Sequence, residues 1–189
     1  MDMTEKYLSH KDIFKGRVFD VQLHQVLLPN GSKDTREVVL HQGGACVLPI
    51  DDEQNIYLVK QFRYPFGKEI FEVPAGKIND GEQPLECAKR ELSEETGFTA
   101  ESIEPLAVAY ATPAYCSEIL SIYVATGLKK GQQKLDEGEF LEVVKIPYTK
   151  AYDMVLNGEI PDAKTQIAIL RAKKIIDDMN EQNGNVNNQ

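Results

Sequence analysis

Residues 76–98, GKINDGEQPLECAKRELSEETGF, restrict this chain more than any other stretch. Pro84 suits the first turn of a helix, Leu85, Ala88 and Leu92 recur at helical spacing, and Gly97 is a natural stop. On a wheel advancing about 100° per residue, the three apolar residues share an arc that should face a core. Glu91, Glu94 and Glu95 fall together on an adjoining arc, with Lys89 and Ser93 toward water. Carboxylates three and four residues apart repel, at roughly a few tenths of a kcal/mol per pair. They also crowd the helix end where the dipole disfavours negative charge. Selection for helix stability alone would not choose this. One reading is a solvated acidic face partly neutralised by Lys89 and Arg90. The other is a carboxylate cage for hard divalent cations, because Mg²⁺ takes oxygen ligands and shares carboxylates with substrate phosphates.

Around this segment the chain reads as strands and turns. GRVFDVQLHQVLL and DTREVVLHQ flank Pro29-Asn30-Gly31-Ser32, a hairpin signal. GACVLPI and NIYLVKQFRY follow, joined by the acidic turn Asp51-Asp52-Glu53-Gln54, and EIFEVPAG runs into a Pro/Gly loop. PLAVAYA, ILSIYVATGL and FLEVVKIP read as later strands. Thr149 is expected to cap a short helix ending at Asn157-Gly158. Asp162 is expected to cap a longer one, with Ile167, Leu170 and Ile175 among its inward residues. Strands interleaved with a few helices predict an α+β fold, a mixed sheet sandwiched between helices. A small antiparallel β extension over residues 1–42 precedes a core domain over 43–180. Residues 181–189 are too polar to pack and form a flexible tail.

With 189 residues and 42% hydrophobic side chains, a substantial core is available. Lys and Arg number 21 against 30 Asp and Glu, a net charge of −9, which argues against a nucleic-acid partner. A small phosphorylated substrate stays compatible, because bound metal ions reverse the local field. No apolar run resembles a signal peptide or a membrane span. Cys46, Cys87 and Cys116 are odd in number and widely spaced, which suits a reducing compartment better than a disulfide framework. Cys46, in ACVLPI, reads as a small core residue. A cytoplasmic protein is expected.

Gly76, Glu82 after five residues, and then after seven more Arg90-Glu91-Leu92-x-Glu94-Glu95-x-Gly97-Phe98 together resemble the Nudix box, with every defining position filled. The resemblance implies an α/β/α sandwich that hydrolyses nucleoside diphosphates linked to another moiety, with Mg²⁺ or, alternatively, Mn²⁺. It places metal on Glu91 and Glu95, with Glu94 as a further or shared ligand in the catalytic group and the backbone carbonyl of Ala75 as another ligand. It assigns Arg90 to holding the acidic side chains by ion pairing, and Glu82 to the same task in the loop.

Three further segments resemble the ADP-ribose pyrophosphatase branch of that family. Pro113 in ATPAYCSE lies 15 residues beyond Phe98, GRVFDVQLHQVLLPNGSKDTREVVLHQGGACVLPI resembles the branch's N-terminal extension, and KLDEGEFLEV with NGEIPDAKTQIAI resembles its C-terminal part. No coenzyme A signature precedes the box, and no Tyr occupies the three positions after Cys116, where dinucleoside polyphosphate hydrolases carry one. The resemblance makes Glu137 the general base and Glu139 a metal ligand, on the loop over 134–139; the two can exchange roles, and a plain hydrophilic tip is the bland alternative. Gly138 suits a loop that closes over substrate. It places Arg36 and Arg63 on the phosphates or terminal ribose, where a planar fork pairs with phosphate. Arg17 stands where some relatives set an aromatic ring against the adenine, and Glu118 is placed near the ribose. The expected reaction converts ADP-ribose to AMP and ribose 5-phosphate in a homodimer that exchanges its extensions. Competing expectations are another nucleoside diphosphate sugar such as GDP-mannose, and a non-catalytic ADP-ribose sensor. The intact box, and the lack of room for a basic helix-turn-helix, speak against the sensor.

Overall fold

A computed structural model describes residues 2–186, with side chains through Glu181. In chain order the elements are β1 (Lys6–Lys15), β2 (Asp20–Leu27), β3 (Lys33–Leu40), β4 (Gly44–Pro49), β5 (Asn55–Arg63), a 3₁₀ turn (Tyr64–Phe66), β6 (Lys68–Glu72), β7 (Ala75–Lys77), α1 (Pro84–Thr96), β8 (Phe98–Tyr110), β9 (Ile119–Lys130), β10 (Leu141–Pro147), α2 (Tyr148–Leu156) and α3 (Ala163–Val186). They form two compact units: Met1–Gly43 with Tyr110–Ile119, and Gly44–Ala109 with Leu120–Gln189.

In the larger unit, β4 dictates the layering. Its sequence GACVLP is apolar without alternation, as a strand covered on both faces requires. Ala45 and Val47 pack with Cys87, Ala88 and Leu92 of α1. Cys46 and Leu48 point the other way, into a cluster with Ala151 and Val155 of α2 and Ala168, Ile169 and Ala172 of α3. The result is an α/β/α sandwich. β4 pairs parallel with β9 and antiparallel with β7, in the order β7-β4-β9-β8, so the sheet is mixed. A second sheet, β10-β5-β6, is antiparallel.

Three local expectations need correction. Pro147, not Thr149, stands at the N-cap of α2 and makes no side-chain cap; Thr149 lies inside the first turn. On α3, Leu170 is exposed while Ile167 and Ile175 are half-buried, and the buried stripe is Ala168, Ile169, Ala172 and Ile176. Ile167 and Ile175 pack against that same cluster as expected, so only Leu170 falls outside the inward face. Ser93 on α1 is half-buried rather than turned to water. Asp162 does cap α3, accepting the Thr165 N–H at 3.0 Å and its hydroxyl at 2.6 Å. Of the tail expected over 181–189, residues 187–189 lie outside the described residues, and α3 runs to Val186.

The smaller unit is a three-stranded antiparallel sheet, β1-β2-β3. β2 and β3 join through the expected turn, where Gly31 adopts φ +85° and donates its N–H to Leu28 O at 2.9 Å. β1 was not foreseen, since every position in it is exposed and no face repeats an apolar pattern. Tyr110–Ile119 belongs to this unit through bonds from Val39 N–H to Tyr115 O (2.8 Å) and Ser117 N–H to Val39 O (2.9 Å). Val26 is the unit's one buried hydrophobic side chain among the described residues, while Tyr7, Ile13, Phe14 and Phe19 are exposed. No helix among the described residues is long and apolar enough to cross a membrane.

Candidate active site

α1 positions the acidic arc. Pro84 opens it, and Gly97 closes it in the left-handed region (φ 73°), its N–H donating to Ser93 O at 2.9 Å. A Cβ on Gly97 would also lie 2.7 Å from Gln133 N, so the position needs glycine twice over. Because the acidic arc adjoins the apolar one, Glu91 and Glu95 are carried inward, to 8% and 3% exposure. Burial pushes both carboxyls above their ordinary values, Glu95 to about 8 with the neighbouring Glu91 adding to the effect. One Glu95 oxygen accepts the Ala75 N–H at 3.1 Å.

Arg90 sits at the centre of the remaining acids. Its Nη1 donates to Glu91 Oε1 at 2.6 Å and Glu94 Oε2 at 3.0 Å; Nε and Nη2 fork onto Glu82 at 2.9 and 3.1 Å. Nη2 also reaches the Lys77 carbonyl at 3.2 Å. The guanidinium holds Glu82 down to about 2. On the sheet side, Gly76 in β7 leaves room for Glu91: a Cβ there would fall 1.7 Å from Glu91 Oε1.

The loop over 134–139 is rooted on the C-terminal end of α1. Gly131 N–H donates to Gly97 O at 2.7 Å, the Gln133 amide to Glu95 O at 2.6 Å, and Lys134 N–H to Glu94 O at 3.0 Å. These bonds satisfy carbonyls that a helix end leaves open. Farther along, Glu139 N–H closes a turn on Asp136 O at 3.1 Å, and Gly138 has φ +84°. The Glu139 charge reaches Glu91 and Glu95 and helps push both carboxyls up. Glu137 is exposed at the tip.

Arg63, at the end of β5, forks onto Glu72, and its charge also interacts with Glu95. The larger unit therefore brings together Ala75, Arg90, Glu91, Glu94 and Glu95, with Arg63 and Glu139 in electrostatic reach. Arg17, Arg36 and Glu118 belong to the smaller unit. There Arg36 binds Glu5 through Nε (3.0 Å) and Nη2 (2.5 Å), and Asp34 through Nη1 (2.7 Å). Glu118 stands 3.7 Å from His41 Nδ1. Sequence reasoning missed Glu72; the one signal was a charge inside the otherwise apolar IFEV.

The donor set suits a hard divalent ion. Glu91 and Glu95 offer buried carboxylate oxygens, while their protein partners are a shared guanidinium and an amide. Among the described residues, no three His, Cys, Asp or Glu side chains converge closely enough to hold an ion as they stand. The contacts supply the reason: Arg90 draws Glu91 and Glu94 to itself, and Ala75 N–H holds Glu95.

An acidic helix packed on a mixed sheet in this way defines a Nudix protein. The NUDIX domain family model matches residues 40–166, and the chain belongs to that family. Its place there is the ADP-ribose pyrophosphatase branch: it is 41% identical over 169 residues to an ADP-ribose pyrophosphatase of Bacillus subtilis (strain 168), a match covering 88% of this chain and 91% of that protein. A methanol dehydrogenase activator of Bacillus methanolicus is 41% identical over 167 residues, 87% of this chain and 90% of that one. A GDP-mannose pyrophosphatase of Yersinia enterocolitica is 34% identical over 141 residues, 69% of this chain and 73% of its own. The fold matches a crystal structure of an ADP compounds hydrolase with a TM-score of 0.82 and 22% identity, over 94% of this chain and 97% of that one. Enzymes of this branch generally use divalent metal.

Proposed function

We propose that the protein hydrolyses the diphosphate bond of ADP-ribose, giving AMP and ribose 5-phosphate, with Mg²⁺ as the working ion. The observation that carries this is the buried Glu91–Glu95 pair beside Gly76, in a chain 41% identical to an ADP-ribose pyrophosphatase over most of its length. Ala75 O, Glu91, Glu95 and Glu139 would hold the ions, which supply Lewis-acid polarisation of the diphosphate and lower the pKa of water. Arg90 holds Glu91 and Glu94 in register on α1. Glu137 takes a proton from the attacking water as its oxygen bonds to phosphorus; the bridging P–O bond breaks, and its electron pair leaves with the other phosphate. Arg63 pairs with the phosphates. The substrate-facing roles of Arg17, Arg36 and Glu118 rest on the family resemblance alone.

The protein acts as a homodimer in the cytoplasm on this reading. Support for the dimer comes from the smaller unit, whose sheet leaves Tyr7, Ile13, Phe14 and Phe19 exposed and buries almost nothing apolar. A mass in solution equal to one chain, with full activity, would refute it.

Substrate choice is tested by release of phosphatase-sensitive product from ADP-ribose, GDP-mannose, UDP-glucose, NADH and diadenosine polyphosphates with Mg²⁺. The highest kcat/KM is expected for ADP-ribose. A higher value for GDP-mannose would move the assignment to the second reading, which the Yersinia relative favours.

A further inference from the structure

Away from the α1 carboxylates, the larger unit buries a second set of charges. Glu72 is 2% exposed, and its carboxylate takes Arg63 Nε at 2.5 Å, Arg63 Nη2 at 2.8 Å and Lys164 Nζ. Lys164 also reaches Asp162 Oδ1 at 3.0 Å. The other Asp162 oxygen takes the N–H and hydroxyl of Thr165, whose hydroxyl oxygen accepts the Val73 N–H at 2.8 Å. Two cations and two anions thus form a chain without net charge, tied to the backbone of the strand end and of the α3 N-terminus.

The strand register puts the two groups on one face. β5 and β6 pair Arg63 with Lys68 and Val59 with Glu72, so Arg63 and Glu72 share a sheet face four residues apart. On that face the guanidinium meets the carboxylate through Nε as well as Nη2. A lysine would bring a point charge without the fork.

We infer that Glu72, backed by Lys164, is a positioning residue that holds the Arg63 guanidinium in one orientation for the substrate diphosphate; this rests on the nucleoside diphosphate substrate proposed above. The fork uses Nε and Nη2, which fixes the guanidinium plane and turns the Nη1 edge away from Glu72. Arg63 keeps 40% of its side chain exposed, against 3% for Glu72 and 13% for Lys164, so the device is buried and its working end is not. A freely rotating arginine loses its rotamer freedom on binding; a forked one has lost it on folding. Glu72 alone would repel a diphosphate, and Lys164 cancels that charge from behind. Burial works against the Glu72 carboxylate, but its bonds to Arg63 and Lys164 hold it below its ordinary value, so it remains the anion the fork requires.

Three variants test this by steady-state kinetics on ADP-ribose and by thermal melting. Glu72→Gln keeps the shape but leaves one cation unmatched, so it should lower Tm and raise KM about tenfold, with kcat within about threefold. Adding Lys164→Met restores charge balance: Tm should recover while KM stays high, because the fork is still missing. Recovery of both Tm and KM would show a purely structural role and overturn the proposal. Arg63→Lys keeps the charge without the fork, so it should raise KM with a smaller loss of Tm than Glu72→Gln, even if neither Glu72 variant folds; wild-type KM there would overturn it as well. Wild-type protein that neither binds nor hydrolyses any substrate of the panel would sink the proposed function. Normal turnover of ADP-ribose by all variants would sink only the role of Glu72.

Discussion

The two compact units solve opposite problems with similar material. Gly44–Ala109 with Leu120–Gln189 buries nearly every apolar side chain of the core on both faces of β4, and can afford to bury Glu72, Glu91 and Glu95 as well. Met1–Gly43 with Tyr110–Ile119 pairs three strands by backbone bonds yet buries only Val26 among its described hydrophobic residues. Exposed apolar side chains gathered on one small unit mark a surface for association. Charge is therefore buried where a core exists to fix it, while the smaller unit exposes apolar side chains with almost no core beneath them. The first arrangement suits chemistry on a charged ligand, and the second suits association.

The sharpest way to break that contrast is Glu95→Gln. It should cut turnover by about two orders of magnitude or more, yet raise the Tm of metal-free protein, because it removes a carboxyl whose ionised form burial disfavours. A fall in Tm would mean the carboxylate is a structural anchor. Gly76→Ala comes next: its Cβ would strike Glu91, so about 1–3 kcal/mol of stability should be lost in chemical denaturation, with turnover falling in step. In the smaller unit, Phe14→Ser should leave the melting of the larger unit's core within about 0.5 kcal/mol while shifting the mass toward one chain in light scattering. A large loss of melting with an unchanged mass would reverse the assignment of the two faces.

The smallest effect concerns acid. Glu72 is held below its ordinary value, so its stabilisation is complete above that value and is lost as pH falls through the folded one. Tm should fall on acidification, and Glu72→Gln should flatten part of that limb. A limb of unchanged slope would mean that other carboxylates dominate it.

What was legible in the sequence was local. Glu91, Glu94 and Glu95 sit within two turns of one helix, so spacing alone places them on one arc, and Asp162 could be read as a cap from its neighbours. The hidden parts depend on distant pairing. Lys164 meets Glu72 across 92 positions, and Arg63 reaches Glu72 only because β5 and β6 pair in one register. Tyr110–Ile119 joins the smaller unit through two backbone bonds to Val39, which no side-chain pattern announces. On α3 Leu170 is apolar yet exposed, because the buried stripe runs through Ala168, Ile169, Ala172 and Ile176.

On the proposed function, the α1 carboxylates hold the ions on which diphosphate hydrolysis depends. The most direct test of that role is turnover of ADP-ribose by wild-type and Glu95→Gln protein as Mg²⁺ is titrated into metal-free samples. AMP and ribose 5-phosphate should form only with the ion present, and the variant should stay at least about 100-fold slower at saturating Mg²⁺. Turnover without any divalent ion, or a Glu95→Gln protein as fast as wild type, would contradict it.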